Sequence, residues 1–359
     1  MSLSQHQPTT TNTAHAAGLT SKDNAGASQG VLLSKKMPEM ACNAKKQNAR
    51  KQNSGITLQQ VRDAVMADEK ACPSDESHST GPCSKDGDEF QLSTLENLKR
   101  DYAEKIDAYM REVDAKSDLS RFLKNHAIEP AHRAKMLDWM VEVLSCFKSS
   151  DQTFFLAVNI MDRYFKASPR ALPLNELHLT GLVSMFLASK YEDIMPFSLR
   201  TVYEKIGHKK FTEDEIMRKE IEILQALDFN LMRSITIFEH IERMAEEHLK
   251  GDFQSLSKFY NYFARLIIFD YKMLNAFSNA ELAVSALWTA IEALEKRKGR
   301  RIRCKALLSR LTEMSGVSSE KIAECSEAIK ELKRNFGKKY RGMENLTRFF
   351  SIETDAMSD

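Results

Sequence analysis

The sequence predicts an all-α protein with two tandem five-helix repeats, which follow an N-terminal helix and a disordered arm. Three observations favour this fold. From about Ala131 to Phe350, apolar residues recur at spacings of three and four, and no strand-like alternation persists. No proline follows Pro196, which suits helices joined by polar turns. Two segments about 100 residues apart, 177–190 and 280–294, are apolar almost all round, as is typical of helices surrounded by other helices.

Residues 1–91 are predicted to form a disordered regulatory arm. The first 89 residues contain no Phe, Tyr or Trp, but hold six of the 13 glycines and four of the eight prolines. Without large apolar side chains, such a segment cannot offset the roughly 1–2 kcal/mol per residue that backbone ordering costs. Residues 57–70 are either a docking helix or a helix without a role, and the basic residues 45–53 are either a nuclear import signal or a chance run.

The charge balance and the cysteines indicate a soluble intracellular protein. The 52 basic residues nearly match the 50 acidic ones, so no global field favours nucleic acid or an acidic membrane. The six cysteines show no metal-binding spacing and suit free thiols in a reducing compartment. No apolar run approaches the ~18 residues that span a bilayer, and we expect no metal or cofactor, no membrane contact, and a location in the nucleus and cytoplasm.

The first ordered element is a long amphipathic helix, which together with a linker occupies residues 92–130. Ser93 and Glu96 form a capping box at its start. Its apolar face is formed by Leu95, Leu98, Tyr102, Ile106, Tyr109 and Val113. Farther along the chain, Thr212 and Glu215 form another capping box, and Gly207 suits the end of the preceding helix.

The two apolar segments carry small residues at matched spacings of three and then four. The positions are Gly181, Ser184 and Ala188 in the first segment, and Ala283, Ala286 and Ala290 in the second. Such a stripe lets neighbouring helices approach closely. The simplest architecture is one central helix with about four helices around it, present twice; two unrelated helical domains are the alternative.

Six segments carry motifs of a known family. They are HRAKMLDWMVEV (132–143), FLAVNIMDRYF (155–165), LASKYEDIMP (187–196), IMRKEIEILQALDFNL (216–231), YAEKIDAYMRE (102–112) and LIIFDYKMLNAFSNAELAVSAL (266–287). The first four resemble the first box of the cyclins. The fifth resembles the helix ahead of that box in mitotic, B-like or A-like, cyclins, and the sixth resembles their second repeat. The resemblance covers residues 92 to 350 and places a first box at 131–232, a second fold at 233–350 and a tail at 351–359.

The resemblance implies a regulatory, activating subunit of a cyclin-dependent protein kinase in the cell cycle. It implies no catalysis by this chain, because the kinase holds the ATP and the magnesium. The cyclin packs against a mobile kinase helix and keeps its glutamate paired with the strand lysine that phosphoryl transfer requires. The implied partners are the kinase, as a heterodimer, and protein substrates or inhibitors.

The resemblance also assigns a kinase-facing site. Lys190 and Glu220 match its central pair, and their opposite charges favour a salt bridge even before the kinase binds. Tyr191, which stands where the family usually has Phe, belongs to the same surface. Glu192 and Asp193 lie at a helix C-terminus, where acids are disfavoured. Contact with the kinase explains their presence, and a solvated helix exit is the alternative.

Four further residues match the family's motifs. Ile106 and Tyr109 on the N-terminal helix either contact the kinase or pack that helix onto the bundle. Arg133 and Asp138 are expected to form a charged pair that braces the first box internally, with binding to another surface as the alternative.

Many cyclins bind Arg-x-Leu peptides in an apolar groove on the first helix of the box. The matching positions are His132, Lys135, Met136, Trp139, Glu142, Leu177 and His178. His132 and Lys135 replace apolar residues, and each loss removes about 1.5–3 kcal/mol of burial. We therefore expect a weak or altered groove, with a pH response through His132 and His178 as a further possibility.

Residues 296–305, KRKGRRIRCK, are strongly basic and lie between helices of the second repeat. The segment is either a solvated loop, a phosphate-reading patch or an import signal, with Arg300, Arg301 and Arg303 as its central residues. Two other functions are alternatives. A double-cyclin-fold transcription factor would need a metal ribbon and a strongly basic surface, and a helical enzyme would need reactive groups at useful spacing; the sequence supplies neither.

Overall fold

The computed structural model of the chain describes residues 85–117, 119–248, 253–298 and 304–350, and every regular element within them is helical. The prediction of an all-α fold is therefore confirmed. The helices are α1 (Lys85–Lys116), α2 (Pro130–Phe147), α3 (Asp151–Ala167), α4 (Leu177–Glu192), α5 (Glu213–Ala226), α6 (Ile237–His248), α7 (Phe253–Phe269), α8 (Tyr271–Ala276), α9 (Asn279–Lys298), α10 (Cys304–Ser315), α11 (Ser319–Lys339) and α12 (Asn345–Phe350). A short helical segment from Leu199 to Ile206 lies between α4 and α5.

Several sequence predictions fall outside the described residues. They are the arm up to residue 84 with its docking and import segments, the tail 351–359, and Arg300, Arg301 and Arg303 of the basic loop. One boundary needs correction. Helix α1 begins at Lys85, so residues 85–91 are helical and Ser93 lies inside the helix. The helix can extend N-terminally beyond the predicted start because each residue added to an existing helix gains a hydrogen bond without a new nucleation step.

The first repeat is arranged around α4. This helix packs against α2, α3, α5 and the helical segment 199–206. Gly181, Ser184 and Ala188 are fully buried along it. At Gly181 an added Cβ would meet the end of the Met136 side chain on α2, so a larger residue here would require that side chain to shift.

The second repeat has the same plan around α9, which packs against α6, α7, α10 and α11. Ala283, Ala286 and Ala290 are fully buried, at the positions predicted from the matched stripe. The α5 capping box is also present: the Glu215 N–H donates to the Thr212 hydroxyl, and the Thr212 N–H donates to the Glu215 carboxylate. Gly207 ends the preceding helical turn with φ −80°, and the left-handed residue that follows is His208.

Buried polar residues join the two repeats. Arg133 forms a bidentate ion pair with Asp162 of α3 (2.5 and 2.8 Å). It also donates to the Ile268 carbonyl of the second repeat (2.7 Å). Asp138 accepts hydrogen bonds from the backbone and the side chain of Asn345 at the start of α12. The expected Arg133–Asp138 pair is therefore wrong: both residues brace the molecule internally, but each has its own partner.

Helix α1 lies on the second repeat. Asp107 forms an ion pair with Arg243 of α6 (2.9 Å). The Arg111 guanidinium donates to the Met314 carbonyl at the end of α10 (3.1 Å). Asp107 and Arg111 are one turn apart, so this face of α1 lies against the second repeat. Within the described residues, no helix has both the length and the apolar character needed to cross a membrane.

Candidate functional site

The sequence-predicted pair Lys190–Glu220 is formed in the structure. The Lys190 ammonium at the C-terminus of α4 forms a salt bridge with the Glu220 carboxylate of α5. The side chains retain 37% and 17% of their exposure, so both charges reach the surface. Lys190 also lies 4.0 Å above the Phe186 ring. The salt bridge therefore forms within this chain without a partner, and the exposed part of the two side chains is accessible to a partner.

Lys219, next to Glu220, anchors the inner face of α5. Its ammonium is buried and pairs with Glu176 (2.9 Å) and Glu222 (2.6 Å). The Tyr164 hydroxyl of α3 donates to Glu222 (2.6 Å). This partly buried network holds the inner face of α5 against α3, with Glu220 on the neighbouring side of the helix toward the end of α4.

Exposed apolar side chains flank the pair along the chain. In the described residues, large exposed apolar side chains occur only in three stretches: on α1, directly after Lys190, and around and after Glu220. The last two stretches comprise Tyr191, Ile194, Met195, Met217, Ile221, Phe229 and Met232. Ile194 is 98% exposed. Apolar surface concentrated in this way is typical of a protein-binding site.

Asp193 has an internal role that the sequence analysis did not foresee. Its Oδ1 accepts hydrogen bonds from the Ser150 N–H (3.1 Å) and from the Thr153 hydroxyl (2.6 Å). Its Oδ2 accepts from the Ser189 hydroxyl (2.8 Å), which itself accepts from the Phe197 N–H. Asp193 therefore ties the end of α4 to the start of α3, and this explains an acid at a helix C-terminus.

Replacing Asp193 with alanine is expected to lower the free energy of unfolding by about 1–3 kcal/mol, because the buried hydroxyls of Thr153 and Ser189 lose their acceptor. Urea denaturation would measure the change. The matched control is Glu192→Ala. Burial, and then Glu239 and Asp193, raise the pKa of Glu192, so its carboxylate is disfavoured in the folded chain and its removal should not lower the free energy of unfolding. Equal losses in the two variants would contradict the internal role of Asp193.

Ile106 is 39% exposed on α1, and Tyr109 is 61% exposed. Their two alternatives, contact with the kinase and packing of α1 onto the bundle, stay predictions, because most of the Ile106 side chain is covered. Asp107, Arg111 and Asp114 lie toward the second repeat. The exposed parts of Ile106 and Tyr109 are accessible to a partner, together with the exposed Tyr102.

The residues that match the first-helix groove differ in burial. The apolar ones, Met136, Trp139 and Leu177, are buried, and the weak or altered groove stays a prediction. The His178 ring contacts the Trp139 ring edge-on, with 4.7 Å between centroids. His132 completes the cap of α2 by accepting from the Glu129 N–H (3.2 Å). Glu142 is buried and Lys135 is exposed.

Comparison with known proteins identifies the family. The model of the cyclin N-terminal domain matches residues 105–232. That of the cyclin C-terminal domain matches residues 235–345. The chain belongs to the cyclin family.

The relatives of this cyclin include mitotic cyclins. It is 30% identical over 200 residues to G2/mitotic-specific cyclin-B1 of Xenopus laevis, covering 55% of this chain and 48% of that protein. It is 31% identical over 194 residues to G2/mitotic-specific cyclin-B2 of Gallus gallus, covering 53% and 46%. The chain therefore spans about half the length of these relatives. A viral cyclin from herpesvirus saimiri shares the fold, with a TM-score of 0.55, 15% identity, and coverage of 67% of this chain and 99% of that one.

His178 of this cyclin does not titrate in the usual range. Burial, followed by the charges of Lys210 and His208, lowers its pKa to about 4. The Lys210 ammonium donates to Nδ1 of the ring (3.1 Å). The ring is therefore neutral at physiological pH, and the pH response considered for the groove does not arise from His178 there.

The depressed pKa of His178 gives the cyclin a testable pH dependence. The folded state binds the proton more weakly than the unfolded state, so the contribution of His178 is complete above the unfolded pKa of about 6.5 and is lost as pH falls toward 4. Relative to His178→Gln, wild type should lose about 2–3 kcal/mol of unfolding free energy between pH 7 and pH 4. Urea titrations at stepped pH measure both proteins, and parallel curves would contradict the burial of the ring.

Some residues of the cyclin's site escaped the sequence analysis. Met217 and Ile221 are four residues apart and therefore neighbours on α5, and Glu220 is the i+3 neighbour of Met217. That signal was available in the sequence. Phe229 follows the helix, and its exposure depends on how the chain leaves α5 with left-handed backbone at Asp228 and Phe229.

Proposed function

We propose that this chain is the regulatory subunit of a cyclin-dependent protein kinase in the cell cycle and performs no catalysis itself. The observation that carries the proposal is the Lys190–Glu220 salt bridge flanked by exposed apolar side chains. The partners in this proposal are the kinase, in a heterodimer, and the protein substrates or inhibitors of the complex. Its place of action is the nucleus and the cytoplasm.

The geometry suits a ligand that selects one conformation of its partner. The pair is preformed, so the chain loses little conformational freedom when it binds. The apolar side chains beside the pair gain about 25 cal/mol for each Å² that the kinase covers. If only the active arrangement of the kinase helix fits this surface, binding shifts the kinase population toward that arrangement.

Each residue has a role in this proposal. Lys190 and Glu220 provide the charged centre, Tyr191 adds an aromatic contact, and Glu192 lies at the edge of the surface. Asp193 acts indirectly, because its hydrogen bonds hold the end of α4 in position. Ile106 and Tyr109 on α1, together with the exposed Tyr102, extend the contact as a second segment.

Reconstitution tests the proposed function. The full-length chain is mixed with each purified cyclin-dependent kinase of the same organism, and phosphorylation of a Ser/Thr substrate peptide is measured with and without the chain. One kinase is expected to gain activity by about 100-fold, as a shift from a rare to a dominant active state requires. The chain without kinase serves as the control. Phosphorylation by the chain alone, or no binding and no activation with any of the kinases, would overturn the proposal.

A further inference from the structure

The connection between α3 and α4 presents a serine that is followed by a proline. Ser168–Pro169 is the one Ser–Pro or Thr–Pro dipeptide in the 359 residues of the chain. Ser168 is half-buried, and the residues on both sides of it are exposed: Lys166, Ala167, Pro169, Arg170 and Ala171. An enzyme that modifies the serine therefore meets a continuous stretch of surface chain.

The backbone at Ser168 is already extended. Helix α3 ends one residue earlier, and Ser168 has φ −60° and ψ 126°. The following proline restricts the serine to this region. The Ser168 hydroxyl donates to the Arg170 carbonyl (3.0 Å), and this contact is exposed. Water can replace such a hydrogen bond at little cost, so the hydroxyl can turn outward to a reagent.

Pro169 selects the class of enzyme that this segment fits. Proline has no backbone N–H. A kinase whose active site offers no acceptor to the residue after its serine discriminates against every residue except proline, because any other would bury an unpaired N–H. The dipeptide therefore suits a proline-directed Ser/Thr kinase.

Arg170, two residues after the serine, ties this connection to α5. Its guanidinium donates both to Glu176 (2.6 and 2.8 Å) and to Glu222 of α5 (3.0 Å). The Arg170 side chain is 48% exposed, so it can exchange partners at the surface. A phosphate on Ser168 would carry about two negative charges close to this guanidinium, and arginine binds phosphate in bidentate geometry.

We propose that Ser168 is a phosphorylation site for a proline-directed Ser/Thr kinase. In this step the Ser168 Oγ attacks the γ-phosphorus of ATP, the bond from that phosphorus to ADP breaks, and the hydroxyl proton passes to the catalytic aspartate of the kinase. The phosphate then accepts hydrogen bonds from Arg170 and draws it away from Glu176 and Glu222. Lys219 still pairs with both carboxylates, so the loss is confined to the tie between the connection and α5.

Phosphopeptide mapping tests the site itself. The full-length chain is incubated with ATP and a purified proline-directed Ser/Thr kinase, and mass spectrometry follows phosphate at Ser168. A synthetic peptide of residues 162–174 is the control for an unfolded substrate. Both are expected to be phosphorylated, and Pro169→Ala should slow the reaction by about 10- to 100-fold, the cost of an unpaired N–H. If Pro169→Ala does not fold, the same substitution in the peptide decides.

The proposed site is overturned if the peptide is phosphorylated while Ser168 of the folded chain is not, or if neither is. An equal rate in Pro169→Ala would also overturn it. These measurements do not involve the kinase partner of the proposed function, so the two proposals fail separately.

Hydrogen exchange tests the exchange of partners at Arg170. Phosphorylation is expected to speed amide exchange in α5 by about 2- to 5-fold, as the loss of an exposed ion pair allows, and to leave α11 unchanged. Arg170→Met should show the faster exchange before phosphorylation and no further change after it. Arg200→Met, which removes an exposed arginine paired with Glu204 (3.2 Å), is the matched control and should respond like wild type. If phosphorylation speeds α5 exchange equally in Arg170→Met and wild type, Arg170 does not carry the effect.

Discussion

Replacing Arg133 with methionine is expected to lower the free energy of unfolding by about 3–5 kcal/mol. Arg133 is fully buried, and its guanidinium forms both ion-pair contacts to Asp162. Without it, the Asp162 carboxylate remains buried without its cation, and the Ile268 carbonyl loses a donor. The loss is large because burial prevents water from replacing the guanidinium.

Urea denaturation monitored by circular dichroism measures this loss. The matched control is Arg170→Met, which removes an arginine whose side chain is 48% exposed and paired with Glu176 and Glu222. Exposed ion pairs contribute about 0–1 kcal/mol, so the control should change stability by no more than that. If the two substitutions have the same effect, Arg133 does not join the repeats in the way described.

Lys190→Glu is expected to weaken kinase binding by at least about 30-fold. The substitution breaks the salt bridge with Glu220 and places two acids side by side on the surface that we propose meets the kinase. Losing one member of a charge pair in an interface costs about 2–5 kcal/mol, and 2 kcal/mol corresponds to about 30-fold in Kd. Glu220→Lys should have an effect of similar size, because it creates the opposite like-charge pair.

Isothermal titration calorimetry with the kinase identified by reconstitution measures the affinity. Lys135→Glu is the control, since Lys135 is also exposed but lies on α2, outside the proposed surface. Its affinity should stay within about twofold of wild type. If Lys190→Glu binds the kinase with wild-type affinity, the pair is not part of the kinase-facing site. The fold assignment would be unaffected.

The architecture could be predicted from the sequence because buried helix faces carry apolar residues at regular helical spacings. An apolar segment such as residues 177–190 must be surrounded on all sides, and Gly181 and Ala188 mark where neighbouring helices come close. The capping box at Thr212 was readable for a similar reason, since both of its residues are local in the chain.

Contacts between distant parts of the chain have no such periodic or local signal in the sequence. Arg133 and Asp138 were expected to pair because both match one motif. On a helix, however, five residues turn the side chain by about 140°, so the two point in different directions. Their partners, Asp162 and Asn345, lie far along the sequence and became visible only in the folded chain. The same holds for Asp193, whose acceptor role depends on the start of α3, about 40 residues earlier.

The charge-swapped double variant, Lys190→Glu with Glu220→Lys, tests the central claim most directly. The swap restores the salt bridge between α4 and α5, so the free energy of unfolding should return to within about 0.5 kcal/mol of wild type. The charges presented to the kinase remain exchanged, and calorimetry should still show an affinity at least about 10-fold below wild type. Full recovery of wild-type affinity would show that the pair only braces the cyclin internally, and it would contradict the assignment of this surface to the kinase.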